Sequence, residues 1–317
     1  VGSDPPAGTG AAPAATTELP EIMRKVHGLA LGAAIGAAPD LRGVHGEVAS
    51  SVRATLAGIA DKPNYAPRRP MLLPKLMQAM HDDEVSRREL ASIIGTDPAL
   101  AGALLRLANS PFYRIRPEPV ESLDRAIALL GVEGMRSLVA AALMQPVFRS
   151  SGGLFATFGE VTWEHTLYSA NAAESHSAVL ENSDPFAAQL LSLLMGLSTM
   201  VLFRIVTDEY LARRQPPSTA LIAALIESEV PTLARHIASS WQLSDRIDSA
   251  LVDQSAPGGP QSSLGRSLSA GRFIGALAVL HARKVLDEDG VKAQLHSGGT
   301  QAAAYERIWT RLRANAS

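Results

Sequence analysis

The feature that most constrains this chain is a train of short, capped helical segments between Ser86 and Leu143. Ser86-x-x-Glu89 is a capping box, in which the serine oxygen and the glutamate can each satisfy a free backbone N–H. A brief apolar segment follows and stops at Gly95. Asp97 can cap the next helix, and Pro98 suits its first turn, where no N–H is required. Leu100, Leu104 and Leu107 share one face of that helix, and Ala103 leaves room for a close neighbour. Asn109-Ser110-Pro111 ends it. Ser122 starts a further helix that Gly131 closes, and Met135 to Leu143 forms another. Such a run specifies helices packed through tight turns and leaves no room for a sheet.

Three pieces of this stretch, Asp97-Pro98-x-Leu100, Leu105-x-x-Ala108-Asn109-Ser110 and Ala126-Ile127-x-Leu129-Leu130-Gly131, occur in an order and spacing that resembles the HDOD domain. This is a bacterial signalling domain related to the HD phosphohydrolases. The resemblance covers Met71 to Asp253. It implies an all-α, HD-like multi-helix bundle, here with extra helices at both ends.

Composition agrees with helix packing. Hydrophobic residues make up 46 % of the 317 residues and aromatics only 5 %, a balance that favours Ala- and Leu-rich helices over sheet. A net charge of −2 provides no global field to recruit nucleic acid or anionic lipid. The absence of cysteine excludes disulfides, thiol catalysis and zinc–thiolate sites and is consistent with a cytoplasmic location. Val1 to Thr17 lacks the basic start and apolar core of a signal peptide. Phe186 to Phe203 is uncharged and apolar, but Gln189, Ser192, Gly196, Ser198 and Thr199 interrupt it, so a buried helix is expected there rather than a membrane span.

Read in order, residues 1–17 are mostly Gly, Ala, Pro and Thr and are expected to be a disordered tail. Residues 18–62 read as an extension of two helices broken near Pro39-Asp40 that adds a layer to the core. Residues 63–256 form the HDOD unit, with a first half over 71–149 and an HD-like half over 160–256. The second half carries a Trp163-x-His165 helix, an Asp184-Pro185 cap before the long apolar helix, then helices over Glu227 to Trp241 and Asp245 to Val252. After a break at Ala256 to Ser263, the remainder of 257–317 gives closing helices over Leu264 to Leu286 and Gln301 to Ala314, packed on the HDOD body.

An HD phosphohydrolase holds a divalent metal with histidines and an adjacent His-Asp pair, and the metal activates a water and clamps a phosphoryl oxygen. The resemblance places that pair at Met195-Gly196. Methionine is a soft neutral ligand, and glycine has no side chain to offer. His165 falls where the family has its first histidine and reads as a vestigial position, a helix histidine hydrogen-bonded within the core. The later ligand places fall near Val230 and Asp253-Gln254. His81 with Asp82, Asp83 and Glu84 reads as a solvated helix end. No nucleophile elbow, Walker loop or dinucleotide fingerprint is present. No metal and no cofactor are therefore expected.

The first half is mildly basic, with a net of +3 over 62–149 against −3 over 150–317. The polar bend after Ala108 gathers Asn109, Phe112, Tyr113, Arg114 and Arg116. Aromatic and arginine side chains of this kind dominate binding hot spots. The sequence thus points to a non-catalytic regulatory module whose partners are other signalling proteins. The alternatives are a metal-dependent phosphohydrolase of nucleotides or cyclic dinucleotides and a DNA-binding regulator. The charge balance disfavours nucleic acid, and nothing in the sequence specifically supports a nucleotide second messenger.

Overall fold

The computed structural model describes residues 14–36, 38–62, 64, 65, 67, 94, 98–109, 119–122, 125, 126, 128, 129, 155–297 and 299–316. Among these residues the fold is all-α and contains no strand. Helix α1 spans Ala14–Leu31 and α2 spans Val44–Ala57. Leu19, Ile22, Met23, Val26 and Ala30 repeat at helical spacing along α1 and are all buried. The helix ends at Gly32, whose φ of 64° admits the left-handed turn. Ala33 N–H reaches back to the Gly28 carbonyl at 3.0 Å, closing the end in a Schellman arrangement. Val48, Ala49, Val52 and Leu56 bury the inner face of α2. The extension is therefore a packed layer of the core, as its apolar spacing predicts.

The tail boundary expected at residue 17 is displaced, because α1 begins at Ala14. A helix anchored at Leu19 and Ile22 extends backward at low cost through Ala14 and Ala15, since alanine has the highest helix propensity. Residues 1–13 lie outside the described residues.

Helix α3, Pro98–Ala108, starts at the predicted proline, and Leu104 at its centre is completely buried. Ser122 caps a following turn, its Oγ accepting from Arg125 N–H at 3.2 Å. The Ser86 capping box, the His81 cluster and the segment from Met135 to Leu143 lie outside the described residues.

Helix α4 (Phe158–His176) runs into a turn of π-helix over Ser177–Glu181, which Asn182 closes with φ 44°. Helix α5 (Pro185–Ala212) starts as expected, with Asp184 Oδ1 accepting from Ala187 N–H at 3.0 Å. Among the described residues α5 is the one helix long and apolar enough to cross a membrane, and 78 % of its most apolar window is buried inside the protein. Helices α6 (Thr219–Ser240), α7 (Asp245–Val252) and α8 (Ser263–Ala282) follow. The expected closing helix over Leu264 to Leu286 stops earlier, at Ala282, where Lys284 takes a φ of 59°. A separate helix α9, Glu288–His296, then begins under an Asp287 cap. That helix is absent from the sequence reading, although Asp287 followed by Glu288 and Asp289 is a helix-start signal. Helix α10 spans Ala302–Ala316.

Two helices clasp α4. Helix α8 packs on it most extensively, and α5 covers another face. Both approaches depend on missing side chains. A Cβ at Gly271 would stand 2.6 Å from Ala173 Cβ, and one at Gly275 would stand 2.5 Å from the Ser169 backbone nitrogen. On the other side, a Cβ at Gly196 of α5 would stand 2.6 Å from Thr166 Cγ2. At the edge of the clasp Arg283 bridges Glu160 and Glu164 of α4 at 2.6 and 2.7 Å. Helix α8 is thus a central core element and not a peripheral closing helix.

This geometry predicts opposite signs for the same substitution at two helical glycines. Gly275→Ala adds a methyl where the neighbour is backbone, so it should destabilise by about 1–3 kcal/mol despite the gain in helix propensity. Gly102→Ala meets only Arg106 Nη1 at 3.5 Å and should stabilise by up to about 1 kcal/mol. Urea denaturation of both variants checks the pair.

Candidate functional site

The positions that correspond to the lost metal site do converge. His165 on α4, Met195 and Gly196 on α5, Val230 on α6 and Gln254 after α7 all line one cavity of about 180 Å³. Their present chemistry is different from that of a metal centre. His165 Nε2 lies 3.3 Å from the Arg272 carbonyl oxygen and 3.2 Å from Ser169 Oγ. Burial pushes its pKa down to about 4, so the ring is neutral at pH 7. Met195 is buried and offers a thioether. At Gly196 the space for any side chain is filled by Thr166, whose own hydroxyl donates to the Thr162 carbonyl at 2.7 Å.

The later positions hold the fold together. Asp253 Oδ2 accepts from Ser262 N–H at 2.7 Å, at the start of α8. Gln254 Nε2 donates to the carbonyls of Ala250 and Gly265, each at 3.1 Å. Both side chains therefore pin the break between α7 and α8. A divalent metal needs several hard or imidazole donors around one point, and the residues present do not fit one. Among the described residues no cluster of three or more His, Asp or Glu could hold a metal ion.

Two cavity features come from outside the stretch that carried the resemblance. Leu19, Pro20, Met23, Val26 and His27 of α1 line the cavity, so α1 closes one side of it. His27 is 8 % exposed; burial, reinforced by His165 and Arg272, pushes its pKa down to about 3. Arg272 of α8 also lines the cavity. Burial lowers its pKa to about 10, opposed by attraction to Glu227, so it stays charged at neutral pH. Both have faint sequence signals: His27 interrupts the apolar stripe of α1, and Arg272 is the lone charge between Leu268 and Leu280.

The candidate recognition bend divides. Asn109 is described, and its amide is fully occupied within the chain. Its Nδ2 donates to the carbonyls of Leu105 at 2.8 Å and Val120 at 2.9 Å, and its Oδ1 accepts from Val120 N–H at 2.7 Å. It ends α3 and ties the returning strand of chain to it. Phe112, Tyr113, Arg114 and Arg116 lie outside the described residues.

Comparison with known proteins decides the family. The sequence profile of the HDOD domain matches residues 66–257. This chain belongs to the HDOD family. An HDOD domain protein of unknown function from Geobacter sulfurreducens superposes with a TM-score of 0.56 at 17 % identity, over 83 % of this chain and 89 % of that one. A protein named as a candidate metal-dependent phosphohydrolase from Shewanella amazonensis SB2B gives a TM-score of 0.52 at 15 % identity, over 84 % of this chain and all of that one. At these identities the likeness is one of fold. No curated protein matches the chain. Within the HDOD protein, α1 and the segment of α8 bearing Arg272 both fall outside the matched residues.

The neutral histidines give a pH prediction. Each has a folded pKa below its unfolded value of about 6.5, so the unfolded chain binds more protons below that pH. Their contribution is complete above pH 6.5 and is lost as pH falls toward about 4 for His165 and about 3 for His27, at up to about 1.4 kcal/mol per pH unit for each ring. Stability should therefore fall between pH 7.0 and 4.5. His27→Gln, which cannot take up the proton, should show a shallower fall in urea denaturation across that range.

Proposed function

We propose that this HDOD protein is a non-catalytic regulatory module that acts by holding other signalling proteins. The observation that carries the reading is the contact at Gly196. Where an HD phosphohydrolase has its adjacent His-Asp pair, this chain has a buried thioether and a glycine whose side-chain space belongs to Thr166. A Cβ there would stand 2.6 Å from Thr166 Cγ2 and 2.9 Å from its Cβ, so an aspartate would require Thr166 to move. Without that pair, the remaining His165 is a single neutral imidazole already within reach of Ser169 and the Arg272 carbonyl. Hydrolysis by metal-activated water has no ligand set to start from. The alternative, a metal-dependent phosphohydrolase, draws support from fold likeness alone, and fold does not carry activity.

Surface recognition is the function that remains for such a module. The bend after α3 supplies its candidate surface through Phe112, Tyr113, Arg114 and Arg116, with Asn109 fixing the start of the bend.

Two measurements test the proposal. Elemental analysis of the purified protein should find far less than one Mn, Fe, Mg or Zn per chain; a full equivalent that disappears in His165→Ala would overturn the non-catalytic reading. Separately, Arg114→Glu with Arg116→Glu should leave the circular dichroism spectrum unchanged and weaken partner capture from native lysate by at least about tenfold, the loss of about 1.4 kcal/mol. Retention of every partner at the original level would remove this bend as the recognition surface.

A further inference from the structure

The cavity beneath α1 is lined by a charged group that has no direct partner. Arg272 is a guanidinium with five donors, yet among the described residues its side chain makes no hydrogen bond or ion pair. Apart from Glu227, the histidines and the Thr166 and Thr199 hydroxyls of the cavity are already committed or uncharged. His165 and His27 are neutral imidazoles. The Thr166 and Thr199 hydroxyls donate to their own helices, to Thr162 O at 2.7 Å and Met195 O at 2.9 Å. Glu227 lines the cavity too, but it is an exposed residue and reaches Arg272 only as a general attraction. Arg272 is half-buried, and its guanidinium lines the cavity with no protein acceptor among the described residues, so its donors are open to an acceptor that a ligand supplies.

We infer that the cavity is a binding site for a small organic monocarboxylate, held by Arg272 and enclosed by α1. The class follows from charge, size and lining. One arginine offers a fork suited to one carboxylate. A polyanion such as a nucleotide would bring excess negative charge toward Glu227. The volume of about 180 Å³ is near that of a cavity that accepts benzene, about 150 Å³, and below the range of about 300–1,000 Å³ for drug-sized ligands. The walls from Met23, Val26, Ile226 and Val230 are apolar, which suits a short hydrocarbon body and not a bare hydrated ion. Neutral His27 can present its one N–H to the second carboxylate oxygen, whereas the N–H of His165 is engaged with the Arg272 carbonyl and leaves only an acceptor nitrogen for a donor substituent. Arg272 and α1 lie outside the matched residues 66–257, so the HDOD match by itself does not assign this site. It stands independently of which partners the module holds.

Because α1 forms one wall, ligand and α1 are coupled: the bound state holds α1 closed, and loosening α1 opens the site. Arg24 and Lys25 on the exposed face of α1 make this measurable by trypsin.

The experiment titrates the full chain with sodium butyrate at constant ionic strength, following the melting temperature and the rate of tryptic cleavage after Arg24 and Lys25. Butyrate should raise the melting temperature saturably and slow cleavage at least threefold, while sodium chloride and the uncharged isostere butyramide do neither. Arg272→Met should shift the butyrate midpoint upward by at least tenfold, and without ligand it should melt close to the parent, since no hydrogen bond or ion pair of the side chain among the described residues is lost. If Arg272→Met fails to fold, the butyrate–butyramide difference on the parent protein still decides. An unchanged butyrate response in Arg272→Met, an equal response to butyramide, or no saturable response at all would overturn the site. Saturable stabilisation by inorganic phosphate at equal or lower concentration would overturn the carboxylate assignment.

Discussion

The close approach of α4 to its two neighbours governs the rest of this structure. Helices with ordinary side chains pack with axes 8–10 Å apart. Here Gly271 and Gly275 of α8 leave backbone and small side chains of α4 in direct contact, and Gly196 of α5 does the same opposite Thr166. The α4 sequence suits this role, since Ser169, Ala170, Ala172 and Ala173 are small and buried. Dispersion contacts at such short separation are numerous. The large side chains that fill the rest of the core, among them Trp241, Trp309, Tyr210 and Phe273, pack around a clasp whose spacing glycine sets.

That spacing also decides the chemistry. Gly196 of α5 stands directly against Thr166 of α4. One glycine therefore has two effects: it permits the packing and it leaves no donor for a metal. The nearby acidic and amide groups have become structural, Asp253 holding the start of α8 and Gln254 bridging Ala250 and Gly265. Beside them lies a small cavity lined by two neutral histidines and one arginine, with α1 from the other end of the chain forming one wall.

Electrostatics on the outside reinforces the arrangement without creating it. Arg266 with Glu181, Arg283 with Glu160 and Glu164, and Arg235 with Asp248 each join separate elements. Part-exposed pairs of this kind contribute at most about 1 kcal/mol each, so burial of the apolar faces of α1, α5, α6 and α8 dominates. The same contrast explains Arg272. It is half-buried in the cavity lining, and among the described residues no carboxylate is in hydrogen-bonding range, so its charge belongs to the cavity and not to the surface network.

The sequence by itself determined the helices, because their signals are local. Pro98, Ser122, Asp184 and the apolar periodicity of α1 and α2 each fix an element through a few neighbouring residues, and the motif order placed the HDOD segment. That Met195-Gly196 offers neither imidazole nor carboxylate was equally legible, since it needs only the identity of two adjacent residues. Where local signals overlapped, the reading failed: the helix expected to run to Leu286 breaks at Lys284, and α9 begins under Asp287. Asn109 suited either a cap or a contact surface, and its three hydrogen bonds to Leu105 and Val120 assign it to the cap. Only the tertiary structure decided that α1 closes one side of the cavity at His165 and Met195-Gly196, that Arg272 from α8 joins it, and that Thr166 fills the space at Gly196. Those facts depend on residues far apart in the chain meeting at one point, and no spacing along the chain encodes which faces will meet.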